Sequence, residues 1–231
     1  MKCEAYLQSL WEQYRLISVL SNKNGARVMR LRHKTLEKDL IAKQYHTPVP
    51  AYEWLKTCSH ENLPEVLDSI LCQDGHIVLE EYIDGISVAD VAGRYTYEGA
   101  KKVVMGVCKA VQSLHNLKII HRDIKPENIL IAPDGTVKLI DLNASRTPTG
   151  KQKDTVMLGT IGYASPEQLG VCESDERSDI YAIGVLLNVM LTGQHPSKCL
   201  AKGRAGKIVQ KCTSIAPDSR YASATELMQS L

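Results

Sequence analysis

The run His121-Arg122-Asp123-Ile124-Lys125-Pro126-Glu127-Asn128 is the most chemically informative stretch of the chain. It sets an Asp two residues before a Lys and five before an Asn, on a loop that follows a helix. That combination suits phosphoryl transfer. The Asp123 carboxylate can orient a hydroxyl nucleophile, the Lys125 ammonium can neutralise a moving phosphoryl group, and the Asn128 amide oxygen can hold a metal ion. Eighteen residues after Asp123, Asp141 closes the apolar strand Val137-Lys138-Leu139-Ile140. A carboxylate there can take Mg²⁺, which bridges phosphates. An isolated H-x-D would be only a solvated charged turn; the full string with its downstream strand and Asp argues otherwise.

These groups need a scaffold. Val103, Val107, Val111, Leu114 and Leu117 trace one face of a long helix ahead of the loop. Residues Ile180–Leu191 are apolar almost all round, as in a helix buried on every side. Ser223-x-x-Glu226 is a capping box that opens a final helix. The first third reads differently. A helix over residues 4–13 carries Leu7, Leu10, Trp11 and Tyr14 at helical spacing. Segments Leu16–Leu20, Val28–His33 and Leu40–Tyr45 then read as antiparallel strands, with turns at Asn22–Gly25 and Lys34–Lys38. Pro48 and Pro50 break the chain before a short helix over Ala51–Cys58. Strands Val66–Leu71 and His76–Tyr82 flank a Gln73-Asp74-Gly75 turn. The expectation is an α+β chain of two lobes with a cleft between them: a strand-rich lobe over 1–83 and a mainly helical lobe over 84–231.

Composition narrows the partners. The 231 residues fit one large domain or two small lobes. With 28 Lys and Arg against 26 Asp and Glu, the net charge of +2 does not suggest a generic binder of nucleic acid or membrane surfaces. No apolar stretch approaches the roughly 18 residues of a membrane span. The start MKCEAYLQSLWEQ lacks a signal-peptide core, so a soluble, cytoplasmic protein without a membrane segment is expected. Cys3, Cys58, Cys72, Cys108, Cys172, Cys199 and Cys212 are scattered and form no C-x-x-C pair, which points to free thiols in a reducing compartment. Phe is absent, leaving Tyr and Leu to fill its core positions.

The 121–128 string resembles the catalytic loop of eukaryotic-type protein kinases, H-R-D-L-x-x-x-N. Asp141-Leu142-Asn143 is similar to a variant of D-F-G, and Gly159-Thr160 with Ser165-Pro166-Glu167 resembles the segment ending in A-P-E. Leu40-Ile41-Ala42-Lys43 resembles V-A-I-K. Asp179 matches the Asp that anchors the catalytic loop, and Arg220 the late Arg that pairs with the A-P-E Glu, here Glu167. The likeness runs from about Leu16 to Leu231 and is greatest to small bacterial Ser/Thr kinases.

The resemblance implies ATP and Mg²⁺ (or Mn²⁺) as cofactors, and Ser or Thr hydroxyls of proteins as acceptors, since Lys125 and Thr160 suit Ser/Thr-directed kinases. It implies catalytic roles for Asp123, Lys125 and Lys43 and metal-binding roles for Asn128 and Asp141. Adenine is expected against Glu81-Tyr82-Ile83, with Val28 and Ala42 above the ring and Leu130 below. Residues 145–160 form a candidate autophosphorylation stretch with Ser145, Thr147, Thr149 and Thr155, beside an Arg122 able to pair with phosphate.

Three departures stand out. Ser21, Lys23 and Ala26 occupy the places of the phosphate-covering glycines, with Gly25 one position early; the loop stays turn-like, and Lys23 can offer a side-chain charge there. Leu142 and Asn143 replace Phe and Gly, a mild change because Asn tolerates left-handed backbone. Ala51 stands where the first-lobe helix should carry the Glu that holds Lys43, and Glu53 is rotated about 200° around the helix. For Glu80, one residue before Glu81-Tyr82, two readings stay open: its side chain points at the same space as Lys43 and replaces that Glu, or it turns to solvent around the shortened helix. Two alternatives stay open at this point: a nucleotide-binding pseudokinase scaffold, motivated by these departures, and an aminoglycoside-type phosphotransferase, which shares the Asp-to-Asn spacing.

Overall fold

The computed structural model describes residues 1–23, 25–147, 160, 162–169 and 174–231. Asn24, Thr149, Thr155, Gly159 and Cys172, for which the sequence raises expectations, lie outside the described residues. The chain forms two compact units: Met1–His60 with Pro64–Ile83, and Glu61–Leu63 with Asp84–Leu231.

The first unit is a five-stranded antiparallel sheet with one helix packed on it. Helix α1 (Cys3–Gln13) leads into β1 (Tyr14–Lys23), β2 (Ala26–His33) and β3 (Asp39–Tyr45). A short helix α2 (Ala51–Leu55) precedes β4 (Val66–Cys72) and β5 (Gly75–Glu81), and the strand order is β1-β2-β3-β5-β4. Side chains alternate across a strand, so the period-two pattern splits β2, β3 and β5 into two faces. Met29, Leu31, Leu40, Ala42, Ile77 and Leu79 share one face and cluster with Cys3 and Leu7 of α1. Burying such side chains stabilises the unit by about 1.5–3 kcal/mol each. The other face carries Val28, Ile41, Lys43, Tyr45, His76, Val78 and Glu80, in the register Val28 opposite Lys43 and Ile41 opposite Glu80.

Two expectations about α2 and the first turn need correction. The helix ends at Leu55 rather than Cys58, and β1 and β2 extend to Lys23 and Ala26, which leaves only Asn24-Gly25 between them. Gly25 has φ +72°, a left-handed conformation that glycine adopts without steric cost and that the shortest hairpin turns require.

In the second unit a small sheet of β6 (Ile86–Ser87), β7 (Ile129–Ile131) and β8 (Val137–Leu139) accompanies the helices. Helix α3 (Tyr97–Asn116) starts at Thr96, whose hydroxyl accepts from Gly99 N at 3.2 Å, and stops one residue short of Leu117. Helix α4 (Glu176–Thr192) is the element expected from the all-apolar run; eleven of its residues are buried, and Gly193 at φ +71° ends it. Helix α5 (Gly203–Cys212) is a finding the sequence reading did not include, although Ala205, Ile208, Val209 and Cys212 lie buried at helical spacing. Gly184 lets α4 and α5 meet, because a Cβ there would fall 2.3 Å from Cys212 Cβ. Helix α6 (Ala224–Ser230) is capped by Ser223, whose hydroxyl accepts from Glu226 N, while Glu226 reaches back to Ala222 N. Among the described residues the cysteines are free, and no helix is long and apolar enough to cross a membrane.

Candidate active site

In the second unit the loop 121–128 is held by its backbone. Asp179, fully buried on α4, accepts the N–H groups of His121 (2.9 Å) and Arg122 (2.8 Å), and pairs with His115 Nε2 at 2.8 Å. Burial alone would raise this carboxyl, yet the hydrogen bonds it accepts from His115 and from the Arg122 N–H outweigh it and hold its pKa below the ordinary value. Gln168 Nε2 donates to the Arg122 carbonyl at 2.8 Å. These bonds hold Arg122 at φ +66°, a left-handed conformation that costs about 1–3 kcal/mol and persists only where the surroundings over-determine it. Asp141 shares that conformation, at φ +68°.

Asp123 is the centre of this arrangement. Its Oδ2 accepts from Lys125 Nζ at 2.7 Å and from Asn128 Nδ2 at 3.0 Å, and its Oδ1 accepts from the Thr160 hydroxyl at 2.7 Å. Lys125 Nζ also donates to Thr160 Oγ1 at 2.7 Å. Burial pushes the Asp123 carboxyl up, but hydrogen bonds from Lys125 and Thr160 and the lysine charge bring its pKa below the ordinary value. The group is therefore ionised at neutral pH.

The oxygens around the loop suit a hard cation. Asn128 spends its amide nitrogen on Asp123 O (2.8 Å) and Oδ2, which turns its amide oxygen to the opposite side as an acceptor. Its backbone carbonyl accepts from Ile140 N at 2.9 Å, tying the exit of β8, and so Asp141, to the loop. Asp141 Oδ1 accepts from Asn143 N at 3.2 Å. An amide oxygen and a carboxylate are the donor types that Mg²⁺ prefers. Leu130 lies on β7 opposite Lys138 and Ser87. Further out, Arg220 grips Glu167 through two bonds of 2.6 and 2.9 Å, both side chains buried, and Ser178 adds a third at 2.9 Å.

In the first unit Lys43 Nζ lies 2.6 Å from Glu80 Oε2, the first of the two readings the sequence left open, with both side chains 6% exposed. Tyr52 of α2 accepts a second bond from Lys43 at 3.1 Å and meets Tyr45 at 3.0 Å, hydroxyl to hydroxyl. Ala51 is fully buried, and Glu53 faces away from Lys43 to accept from the Ser69 hydroxyl. Val28 stands directly opposite Lys43. Ser21 and Lys23 sit in the ladder opposite Val28 and Ala26, and Gly25 makes the turn. Glu81 ends β5, where it pairs with Glu65, and Ile83 is the last residue of this unit.

Ala42 requires correction. It packs under α1 with Leu7, on the face opposite Lys43, and cannot cover a ring held on the Lys43 face. Alternation puts Ile41 on that face instead; the i, i+2 spacing to Lys43 was the available signal. Sequence reasoning also missed Tyr52, Gln168 and His115, the last of which sits four residues after Val111 on the apolar face of α3.

A family model described as the protein kinase domain matches residues 18–230. A probable serine/threonine-protein kinase of Clostridium perfringens is 35% identical over 144 residues, 60% of this chain and 21% of the relative. The probable serine/threonine-protein kinase PknB of Lactococcus lactis is 32% identical over 143 residues, covering 60% and 23%. The serine/threonine-protein kinase PknB of Mycobacterium tuberculosis is 35% identical over 126 residues, covering 52% and 20%. The chain thus spans about a fifth of the length of the curated relatives it matches. With the family match running across both units, the chain belongs to the protein kinase domain family.

Proposed function

We propose that the chain is an ATP-dependent protein kinase that transfers the γ-phosphate to Ser or Thr hydroxyls of proteins. The observation that carries this reading is the contact set of Asp123 with Lys125, Asn128 and Thr160. A carboxylate has about four lone-pair sites. Oδ2 already receives two donors and Oδ1 one, so Oδ1 retains a site for an acceptor hydroxyl. Asp123 orients that hydroxyl and takes its proton as the O–P bond forms; its lowered pKa makes it a weak base, so the proton moves late in the step. Lys125, held between Asp123 and Thr160, sets positive charge beside the phosphoryl group in flight.

Asn128 and Asp141 are the residues assigned to the divalent ion, Mg²⁺ or Mn²⁺, which when bound neutralises phosphate oxygens. Lys43, Val28, Ile41, Ser21, Lys23, Gly25, Glu81, Ile83 and Leu130 are assigned to ATP. The reading makes 1–83 the nucleotide-covering lobe and 84–231 the catalytic lobe, with 145–160 the candidate autophosphorylation stretch, in which Thr147 is buried and the Ser145 hydroxyl donates to the Leu142 carbonyl. It gives the protein a cytoplasmic setting and no nucleic-acid partner. The paired Lys43 and the Thr160–Lys125–Asp123 contacts disfavour both a pseudokinase scaffold and an aminoglycoside-type enzyme.

The test is transfer from labelled ATP with Mg²⁺ or Mn²⁺ to a generic protein acceptor and, separately, to an aminoglycoside. Label is expected on protein only. Asp123→Asn is expected to keep nucleotide affinity and lose about 10²–10⁴ in turnover; transfer that survives this change would remove Asp123 as the base.

A further inference from the structure

Lys43 is a buried cation on a sheet whose companion helix has been cut to five residues and carries Ala51 where a carboxylate is expected. Removing one partner from a buried ion pair leaves an uncompensated charge at a cost that folds rarely tolerate. The molecule must hold Lys43 by another route, and the sheet provides one. Lys43 opposes Val78, and Ile41 opposes Glu80, so Lys43 and Glu80 are diagonal neighbours on adjacent strands and share a face. Diagonal neighbours lie about 7–8 Å apart along the sheet, within reach of two long side chains.

We propose that Glu80, with the Tyr52 hydroxyl in support, is the positioning residue that holds Lys43 for phosphate contact; this rests on the kinase reading above. Its physical consequence concerns what the lysine's position depends on. A carboxylate on a helix holds a strand lysine only while that helix is docked. Glu80 and Lys43 belong to strands joined by their own backbone ladder, so their separation is set by the sheet register. Tyr52 is fully buried, and its hydroxyl both accepts from Lys43 and meets Tyr45, which lies two residues along β3 on the same face. The α2 contribution is therefore a neutral hydroxyl that steadies the ammonium, and the compensating charge comes from the sheet. The lysine is prepositioned and needs no movement of α2.

The experiment is a double-mutant cycle on the full chain, with Glu80→Gln and Lys43→Met read in two ways: affinity for a non-hydrolysable ATP analogue with Mg²⁺, and steady-state phosphate transfer. Gln keeps the shape of Glu80 and an acceptor oxygen but leaves the Lys43 charge uncompensated, so its thermal melt is expected to fall, and both readouts are taken at a temperature well below that melt. Glu80→Gln is expected to lower kcat/KM by about 10–100-fold, with Glu80→Asp recovering part of it. In the Lys43→Met background the same change is expected to alter nucleotide affinity less than about two-fold, because the partner is gone. Tyr52→Phe is expected to cost about 3–10-fold. If Lys43→Met does not fold, Lys43→Gln completes the cycle. Additive effects of Glu80 and Lys43 on affinity, or a Glu80→Gln protein with unchanged or raised turnover, would overturn the proposal. A starting protein that binds nucleotide and transfers nothing would instead overturn the kinase reading, while the affinity cycle still decides the role of Glu80.

Discussion

The two units hold their charged residues by opposite means. Around Asp123 the loop backbone is pinned by a buried acid on α4, and the functional side chains then fall into place over short sequence distances. Around Lys43 the sheet ladder holds the backbone, and the lysine is fixed by side chains, Glu80 from β5 and Tyr52 from α2. A loop held through its main chain tolerates little substitution at the pinning position, since no other side chain can receive the same two N–H groups. A side chain held by another side chain can change partners whenever a neighbouring strand presents a suitable group on the same face. This accounts for a 121–128 string that keeps its pattern in the second unit beside a rewritten partner for Lys43 in the first.

The comparison breaks first at Asp179. Asp179→Ala strands the N–H groups of His121 and Arg122 and the His115 ring nitrogen, all now bonded to it. The expected loss is about 3–5 kcal/mol of stability. That corresponds to a melting temperature lower by roughly 10 °C or more, with turnover abolished because Arg122 is no longer held in its left-handed conformation. Calorimetry and the transfer assay check this together; a variant that melts normally and still turns over would show that the loop is held elsewhere.

A smaller effect separates the two faces of β3. Ala42→Leu overfills the cluster under α1 and should cost about 1–3 kcal/mol with nucleotide affinity unchanged. Ile41→Ala, on the Lys43 face, should weaken nucleotide binding several-fold. Titration of each variant with an ATP analogue, beside its denaturation curve, tests the assignment. The reverse outcome would return Ala42 to the nucleotide.

The gentlest effect is the response to acid. His76 and His121 are buried, and burial lowers both pKa values; at His76 it outweighs the pull of Glu53, and at His121 that of Asp179, Asp141 and Asp123. The folded state favours neutral imidazole, whereas the unfolded chain protonates near its ordinary value of about 6.5. Between that value and the lower folded pKa values the unfolded state binds more protons, so stability falls as pH is lowered from about 6.5. A second decline begins below about pH 4, as Asp123, Glu167 and Asp179, all held below the ordinary carboxylate range, become protonated. Denaturation curves across pH 4–7 should show the first decline, and His76→Gln should flatten it.

Much of this was legible in order. The 121–128 string and Asp141 were readable as residue types at a fixed place relative to an apolar element, whereas Asp179 and the pairing of Arg220 with Glu167 were implied only by the resemblance to protein kinases. The run around Ile180 announced α4, and Ser223-x-x-Glu226 announced α6. The Glu80 partnership was readable as one of two placements, since strand alternation puts it on the same side as Lys43. The same rule, left unapplied one residue away, misplaced Ala42. Helix α5 was missed because Gly203 and Gly206 disguise a helical pattern of buried residues.

The sequence by itself determined the strands of the first unit, helices α3, α4 and α6, and the place of the 121–128 loop between α3 and α4, because these follow from local periodicity and residue type. Tertiary structure alone decided which face α1 covers, and so that Ala42 belongs to the core. It also decided that Tyr52 bonds Lys43, that Gln168 holds Arg122, and that His115 meets Asp179. Each of these is a contact between residues on different elements, and its geometry depends on how the elements pack. The sequence pattern within one element carries no such information.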